Sequence, residues 1–126
     1  MYFQQNELQA FNAEHGILTQ AWSPIGGVTS YTPGATSVLE NETLRAIAAD
    51  QGKSVAQVML AWHLAEGRAV VPKSTKPERI VENFDIDFEL TADQIAAIDA
   101  LDTGVRGGPE ADFINLTDHA FPISEA

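Results

Sequence analysis

The sequence contains no cysteine and only 7 basic residues against 18 acidic ones, a net charge of −11 over 126 residues. Without cysteine there is neither a disulfide framework nor thiolate chemistry, so the redox compartment is unconstrained and a cytoplasmic setting is the default expectation. The acidic balance argues against non-specific binding to nucleic acid or to an anionic membrane surface. No window approaches the roughly 18 uninterrupted apolar residues that a membrane span needs. The opening MYFQQNELQAF lacks the charged start and apolar middle of a secretory signal. Histidines stand apart at positions 15, 63 and 119, with no cysteine or H-E-x-x-H pattern, so no metal site is expected. The acidic pairs Glu40/Glu42 and Asp85/Asp87 read as solvated turns and helix starts, not as paired catalytic carboxylates.

What remains is a chain with 44% hydrophobic residues, enough for one globular core. Asn6 to Glu14 reads as a helix closed by His15-Gly16. Ile17 to Trp22 reads as a short strand, and the glycine-rich Ile25 to Thr36 as a loop. Leu39, Leu44, Ile47 and Ala48 return to helical spacing and stop near Gly52. Ser54 and Gln57 form a capping-box signal for a second helix bearing Val55, Val58, Met59 and Trp62, with Gly67 as its stop. Ala69-Val70-Val71 has the apolar character of a buried parallel strand. Pro77 suits the first turn of a helix whose core face would be Ile80, Val81 and Phe84. Thr91 with Gln94, and Leu90 with Ile95, mark a last helix through Ile98 to Leu101. Periodicity ends at Gly104, which predicts a body over 1–103 and an irregular tail over 104–126. The alternating order predicts an α/β fold with parallel strands. Two strands cannot close a (β/α)8 barrel of about 250 residues, so the sequence reads as part of such a fold.

The charge distribution is uneven. Arg68, Lys73, Lys76 and Arg79, four of the seven basic residues, fall in one short run opposed there only by Glu78. If Val71 ends a parallel strand and a helix begins near Pro77, the loop between them presents ammonium groups and backbone N–H groups at a helix N-terminus. Ligands of α/β folds bind outside such strand ends. Arg offers phosphate a planar fork of donors and Lys a point charge, while Asn and Glu can address a base edge. The competing reading is a set of ordinary solvated charges; clustering against the overall sign favours the anion site.

These residues also carry a family likeness. PKSTKPERIVENF, Pro72 to Phe84, resembles the phosphate-binding signature of the aldo-keto reductases. Ala21-Trp22-Ser23-Pro24-Ile25-Gly26 looks like the end of that family's seventh strand. Gly52 to Val58 (GKSVAQV) resembles a helix start of the family, and Asp87 to Leu90 (DFEL) one of its turns. The resemblance runs from Tyr2 to Asp102 and implies the carboxyl-terminal part of a (β/α)8 barrel: about the last two β/α units, a terminal helix and a tail. It further implies an oxidoreductase that exchanges hydride between NADPH, less often NADH, and an aldehyde, ketone or alcohol. By position it implies Trp22 stacked on the nicotinamide, and Ser23, Ile25 and Gly27 along the pyrophosphate. Lys73, Ser74, Thr75 and Arg79 would hold phosphate, with Glu82 and Asn83 at the adenine. Lys76 stands where Thr is usual, which adds positive charge and favours NADPH. It also removes a helix cap that Thr75 with Glu78 could replace.

The tyrosine, lysine, aspartate and histidine that run the family's chemistry have no counterparts here. Tyr2, Tyr31, His15, His63 and His119 do not match their positions, so no catalytic residue is assigned. His63 beside Trp62 reads as a packing or surface histidine. Phe113 and Phe121 are candidates for a substrate-facing tail, against the alternative of a poorly ordered terminus. The chain is then expected to take a complementing N-terminal barrel half from another chain, to self-associate, or to remain unstable with its strand edges open. Two rivals remain: a remnant that binds nucleotide or a partner without turnover, and a helix-turn-helix module over Leu44 to Arg68. The second would have to read bases with Gln57 alone.

Overall fold

A computed structural model describes residues 1–26 and 37–108 of the chain. Among them the order is α1 (Asn6–Glu14), β1 (Gln20–Ala21), a 3-10 turn (Val38–Glu40), α2 (Glu42–Gln51), α3 (Val55–Ala65), β2 (Ala69–Val70), α4 (Pro77–Phe84) and α5 (Ala92–Asp99). The two strands pair in parallel, Gln20 opposite Ala69 and Ala21 opposite Val70. The described architecture is therefore α/β and rich in helix, and its two strands do not close a barrel.

The helices form where local chemistry favours them. Asn41 caps α2 by accepting from the Leu44 N–H, and Gly52 at φ 61° supplies the left-handed residue that ends it. Ser54 and Gln57 close a reciprocal capping box on α3, and Thr91 and Gln94 do the same on α5. The core lies between α2, α3 and α5: Val38, Leu44, Ile47, Ala48, Val58, Met59, Trp62 and Ile98. Phe88 and Leu90, in the stretch between α4 and α5, pack against its edge. Trp62 fills the centre and still satisfies its indole N–H, which donates to Asp99 Oδ1 at 2.8 Å.

Several expectations need correction. The strand ladder covers only Gln20–Ala21 and Ala69–Val70, shorter than Ile17–Trp22 and Ala69–Val71. Val71 is 60% exposed rather than buried. An apolar strand residue is buried only where neighbours cover both faces, and here each strand has one partner. Ile80, Val81 and Phe84 are exposed too, Phe84 by 84%, although they share one stripe of α4. The periodicity formed the helix, but α4 meets α3 and, among the described residues, no element packs over that stripe. The alternative Thr75/Glu78 cap does not form either. Lys76 takes the N-cap position without a side-chain cap bond, and Ser74 Oγ instead accepts from the Lys76 N–H at 3.1 Å. The assigned tail is described only through Gly108; Phe113 and Phe121 lie outside the described residues, as do Gly27, Tyr31 and His119.

The helix-turn-helix reading fails on burial. Gln57 through His63 are all buried along α3, so that helix has no face free to enter a DNA groove. Among the described residues no helix is long and apolar enough to cross a membrane.

Candidate functional site at the strand ends

Because β1 and β2 are adjacent and parallel, the segments that follow them leave the same edge of the sheet. The ladder ends at the pair Ala21 and Val70, so Trp22 and Val71 are the first residues beyond it on the two neighbouring strands. Neighbouring strands run about 4.8 Å apart, so the loops Trp22–Gly26 and Pro72–Lys76 start from adjacent strand ends and make up a rim on that edge. Pro77 then starts α4, with its fixed φ suited to a first turn.

The first loop is held tightly. Ser23 adopts φ 48°, an uncommon conformation for a residue with a side chain, and the Gly26 N–H closes the turn onto the Ser23 carbonyl at 2.8 Å. Gly26 has φ 82°, and a Cβ there would stand 2.5 Å from Val38 Cγ1, so only glycine fits. Ile25 packs its side chain toward the core, which leaves its backbone as the part available to a ligand. Trp22 is 56% exposed, which excludes the reading of it as a core aromatic. Its six-membered ring is backed by Gly108, where a Cβ would come within 2.7 Å of Trp22 Cη2. The segment after α5 thus returns to touch the same tryptophan.

Beneath this loop lies a polar cluster that sequence reasoning misjudged. Arg68 is 6% exposed and does not belong to the cationic rim. Its guanidinium lies 4.2 Å from the Trp62 ring centre, Nε donates to His63 Nδ1 at 3.0 Å, and Nη1 donates to Gln9 Oε1 at 2.7 Å. Nη2 is buried with no partner among the described residues. His63 uses its other nitrogen on the Pro24 carbonyl at 3.2 Å. That pairing requires the neutral imidazole protonated at Nε2. Burial, and next the nearby guanidinium and the amino terminus, push the His63 pKa down to about 4. Of the two readings of His63, packing or surface, the structure supports packing, and the histidine ties α3 and the start of β2 to the Trp22 loop. The signal in the sequence was faint: Trp62-His63 and Arg68 five residues on.

Lys73, Lys76 and Arg79 are exposed, and among the described residues no salt bridge involves any of them. Thr75 is exposed, Ser74 is partly covered, and Glu82 and Asn83 on α4 are also partly covered. The clustering thus resolves into two solvent-facing cations on the rim, a third on α4 and one interior guanidinium. A cavity of about 690 Å³ adjoins the rim on the α1 side, lined by Leu8, Leu18, Met59 and Trp62 with Trp22 and Ser23 at one end. Its lining takes in no residue of α4. Among the described residues no group of histidine and carboxylate side chains could hold a metal ion.

Known proteins resemble this chain over most of its length. Residues 1–103 match the model of the aldo/keto reductase family. An aldo-keto reductase of Mycolicibacterium vanbaalenii is 49% identical over 84% of this chain and 36% of its own length. The methylglyoxal reductase DkgA of Escherichia coli K12 is 43% identical over 86% of this chain and 38% of its own. The morphine 6-dehydrogenase of Pseudomonas putida is 44% identical over 86% and 39%. Among solved structures, an aldo/keto reductase from Brucella melitensis superposes with a TM-score of 0.70 at 47% identity, over 80% of this chain and 36% of that one. Gox0644 in its apo form gives 0.75 at 37% identity, over 88% and 38%. The chain belongs to the aldo/keto reductase family, and it spans less than two fifths of the length of these relatives.

Proposed function

We propose that this chain supplies the cofactor cradle of a nicotinamide-dependent oxidoreductase that interconverts an aldehyde or ketone with an alcohol. The observation that carries the reading is the shared rim: Trp22 and the Lys73 loop leave neighbouring strand ends side by side. A flat exposed indole and three exposed cations next to a helix start suit the two ends of a phosphorylated dinucleotide. Two relatives, a methylglyoxal reductase and a morphine dehydrogenase, are named for reactions of this kind.

In this reading Trp22 stacks on the nicotinamide, and Ser23 with the backbone at Ile25 and Gly27 follows the pyrophosphate. Lys73, Ser74, Thr75 and Arg79 take the adenosine 2′-phosphate, and Glu82 and Asn83 face the adenine. Lys76 adds a further charge, so NADPH is preferred to NADH. When bound, the cofactor would supply or accept the hydride. The chain's own residues orient and hold it; none is assigned to the proton transfer, and His63, with both ring nitrogens engaged below the rim, is unsuited to it. By itself the chain therefore binds cofactor without turnover. The outer edges of β1 and β2 are where further strands, in this chain or another, would pair.

Titration of NADPH and of NADH with tryptophan fluorescence tests the proposal. Binding of NADPH in the micromolar range, tighter than NADH, and loss of the signal in Trp22→Phe are expected; binding of both weaker than millimolar overturns it.

A further inference from the structure

The α4 helix carries Arg79, Glu82 and Asn83, yet its apolar stripe of Ile80, Val81 and Phe84 is open to solvent. Apolar burial therefore does little to fix its orientation. What does hold it is polar and comes from the first turn of α3. Gln57 is 5% exposed. Its Oε1 accepts from the Ser54 N–H at 2.9 Å, completing the capping box. Its Nε2 points the other way and donates to the Asp85 carbonyl at 2.6 Å, to Asp85 Oδ2 at 3.1 Å and to the Glu82 carbonyl at 3.3 Å. Lys53 closes the arrangement from outside, its Nζ 2.9 Å from the same Oδ2.

The two carbonyls belong to the last turn of α4 and the residue that ends it, where a helix leaves acceptors open and its dipole is negative. The Gln57 amide fills that role, while the Lys53 ammonium group, just before the α3 cap, holds the Asp85 carboxylate. Glu82 and Asn83 sit inside the clamped turn, and Arg79 one turn earlier on the same helix.

We propose that Gln57, with Lys53 and Asp85, is a positioning clamp: it fixes α4 against α3 and thereby sets the affinity for the 2′-phosphorylated adenosine end of the cofactor. This rests on the cofactor reading above. None of the three residues touches the ligand in that reading, and their effect passes through the helix.

The test compares full-length variants by calorimetric titration with 2′,5′-ADP and by hydrogen exchange. Gln57→Glu keeps the capping acceptor but turns a carboxylate on two carbonyls and on Asp85. Gln57→Met removes the donors without adding charge. Both should weaken binding about tenfold, the equivalent of one hydrogen bond to a charged partner. The amides of Arg79 to Phe84 should exchange faster while those of α2 and α5 do not. Lys53→Met should weaken binding and Lys53→Arg should restore it. If wild type binds and the Gln57 variants bind within twofold of it, the clamp is refuted and the cofactor reading stands. If the variants lose protection throughout α2 and α5 as well, Gln57 is merely structural and the proposal is overturned. If wild type fails to bind 2′,5′-ADP, both the cofactor reading and the assigned effect of the clamp fall, even where α4 alone loosens.

Discussion

Arg68 Nε donates to His63 Nδ1 at 3.0 Å, which makes a buried histidine the acceptor for a buried guanidinium. The bond exists only while that nitrogen is unprotonated. Proton uptake would also set a cation beside Arg68 and the Met1 ammonium group, both of which disfavour it.

A pH dependence follows with a definite sign. The folded pKa of His63 is about 4 against an ordinary value of 6.5, so the unfolded chain binds this proton first. The stabilisation is complete above pH 6.5, declines as pH falls toward 4, and levels off below, by roughly 3 kcal/mol in all. Urea melts at steps across this window would show it. In His63→Gln, whose amide can both accept from Arg68 and donate to Pro24, most of that slope should vanish; an unchanged slope would assign it elsewhere.

Acid acts on a second contact in the same direction. The Lys53 ammonium and the Gln57 amide hold the Asp85 carboxyl below its usual range. Its contribution is present above the ordinary carboxylate pKa and is lost as pH falls through the lowered folded value. Asp85→Asn should flatten the acid limb, visible as a smaller change in melting temperature at low pH.

The core and the open stripe should respond oppositely to truncation. Leu44 is fully buried among α2, α3 and α5 residues, and Leu44→Ala should cost about 2–5 kcal/mol. Phe84→Ser, on the uncovered face, should change stability by about 0.5 kcal/mol or less and improve solubility. Denaturant midpoints and the onset of light scattering report the two effects. A large loss in Phe84→Ser would mean that the stripe is covered in solution.

The contact of Gly108 with Trp22 couples the segment after α5 to the rim. Gly108→Val would drive a side chain into the indole, so Trp22 must turn or the segment must lift. The expected result is altered Trp22 fluorescence in the free protein and weaker NADPH binding, with the denaturant midpoint unchanged.

Arg79→Ala and Lys73→Ala should each weaken NADPH more than NADH, and the salt dependence of NADPH binding should shrink with each lost charge. Equal losses for both cofactors would place these cations away from the 2′-phosphate.

Much of the local structure was legible because it depends on short spacings. The boxes Ser54/Gln57 and Thr91/Gln94, the stop at Gly52 and the proline start of α4 are written within three or four residues, and each formed as read. Arg68 was misread because sequence proximity to Lys73 says nothing of burial, whereas a guanidinium can stack on Trp62 and leave solvent. Ile80, Val81 and Phe84 were misread because an apolar period shows which face a helix would bury, not whether a partner covers it. Gln57 was legible as a cap, but its second set of bonds reaches 28 residues along the chain to Asp85.

The sequence by itself determined the capping boxes at Ser54 and Thr91, the stop at Gly52, the parallel character of the strands, and the family to which the rim residues belong. Those follow from backbone chemistry and ordered short motifs. Only the tertiary structure decided which cations face water, which histidine is held neutral, and which apolar side chains stay uncovered. These depend on what stands within a few ångströms in space, and desolvation and hydrogen bonding are fixed by that neighbourhood rather than by position along the chain.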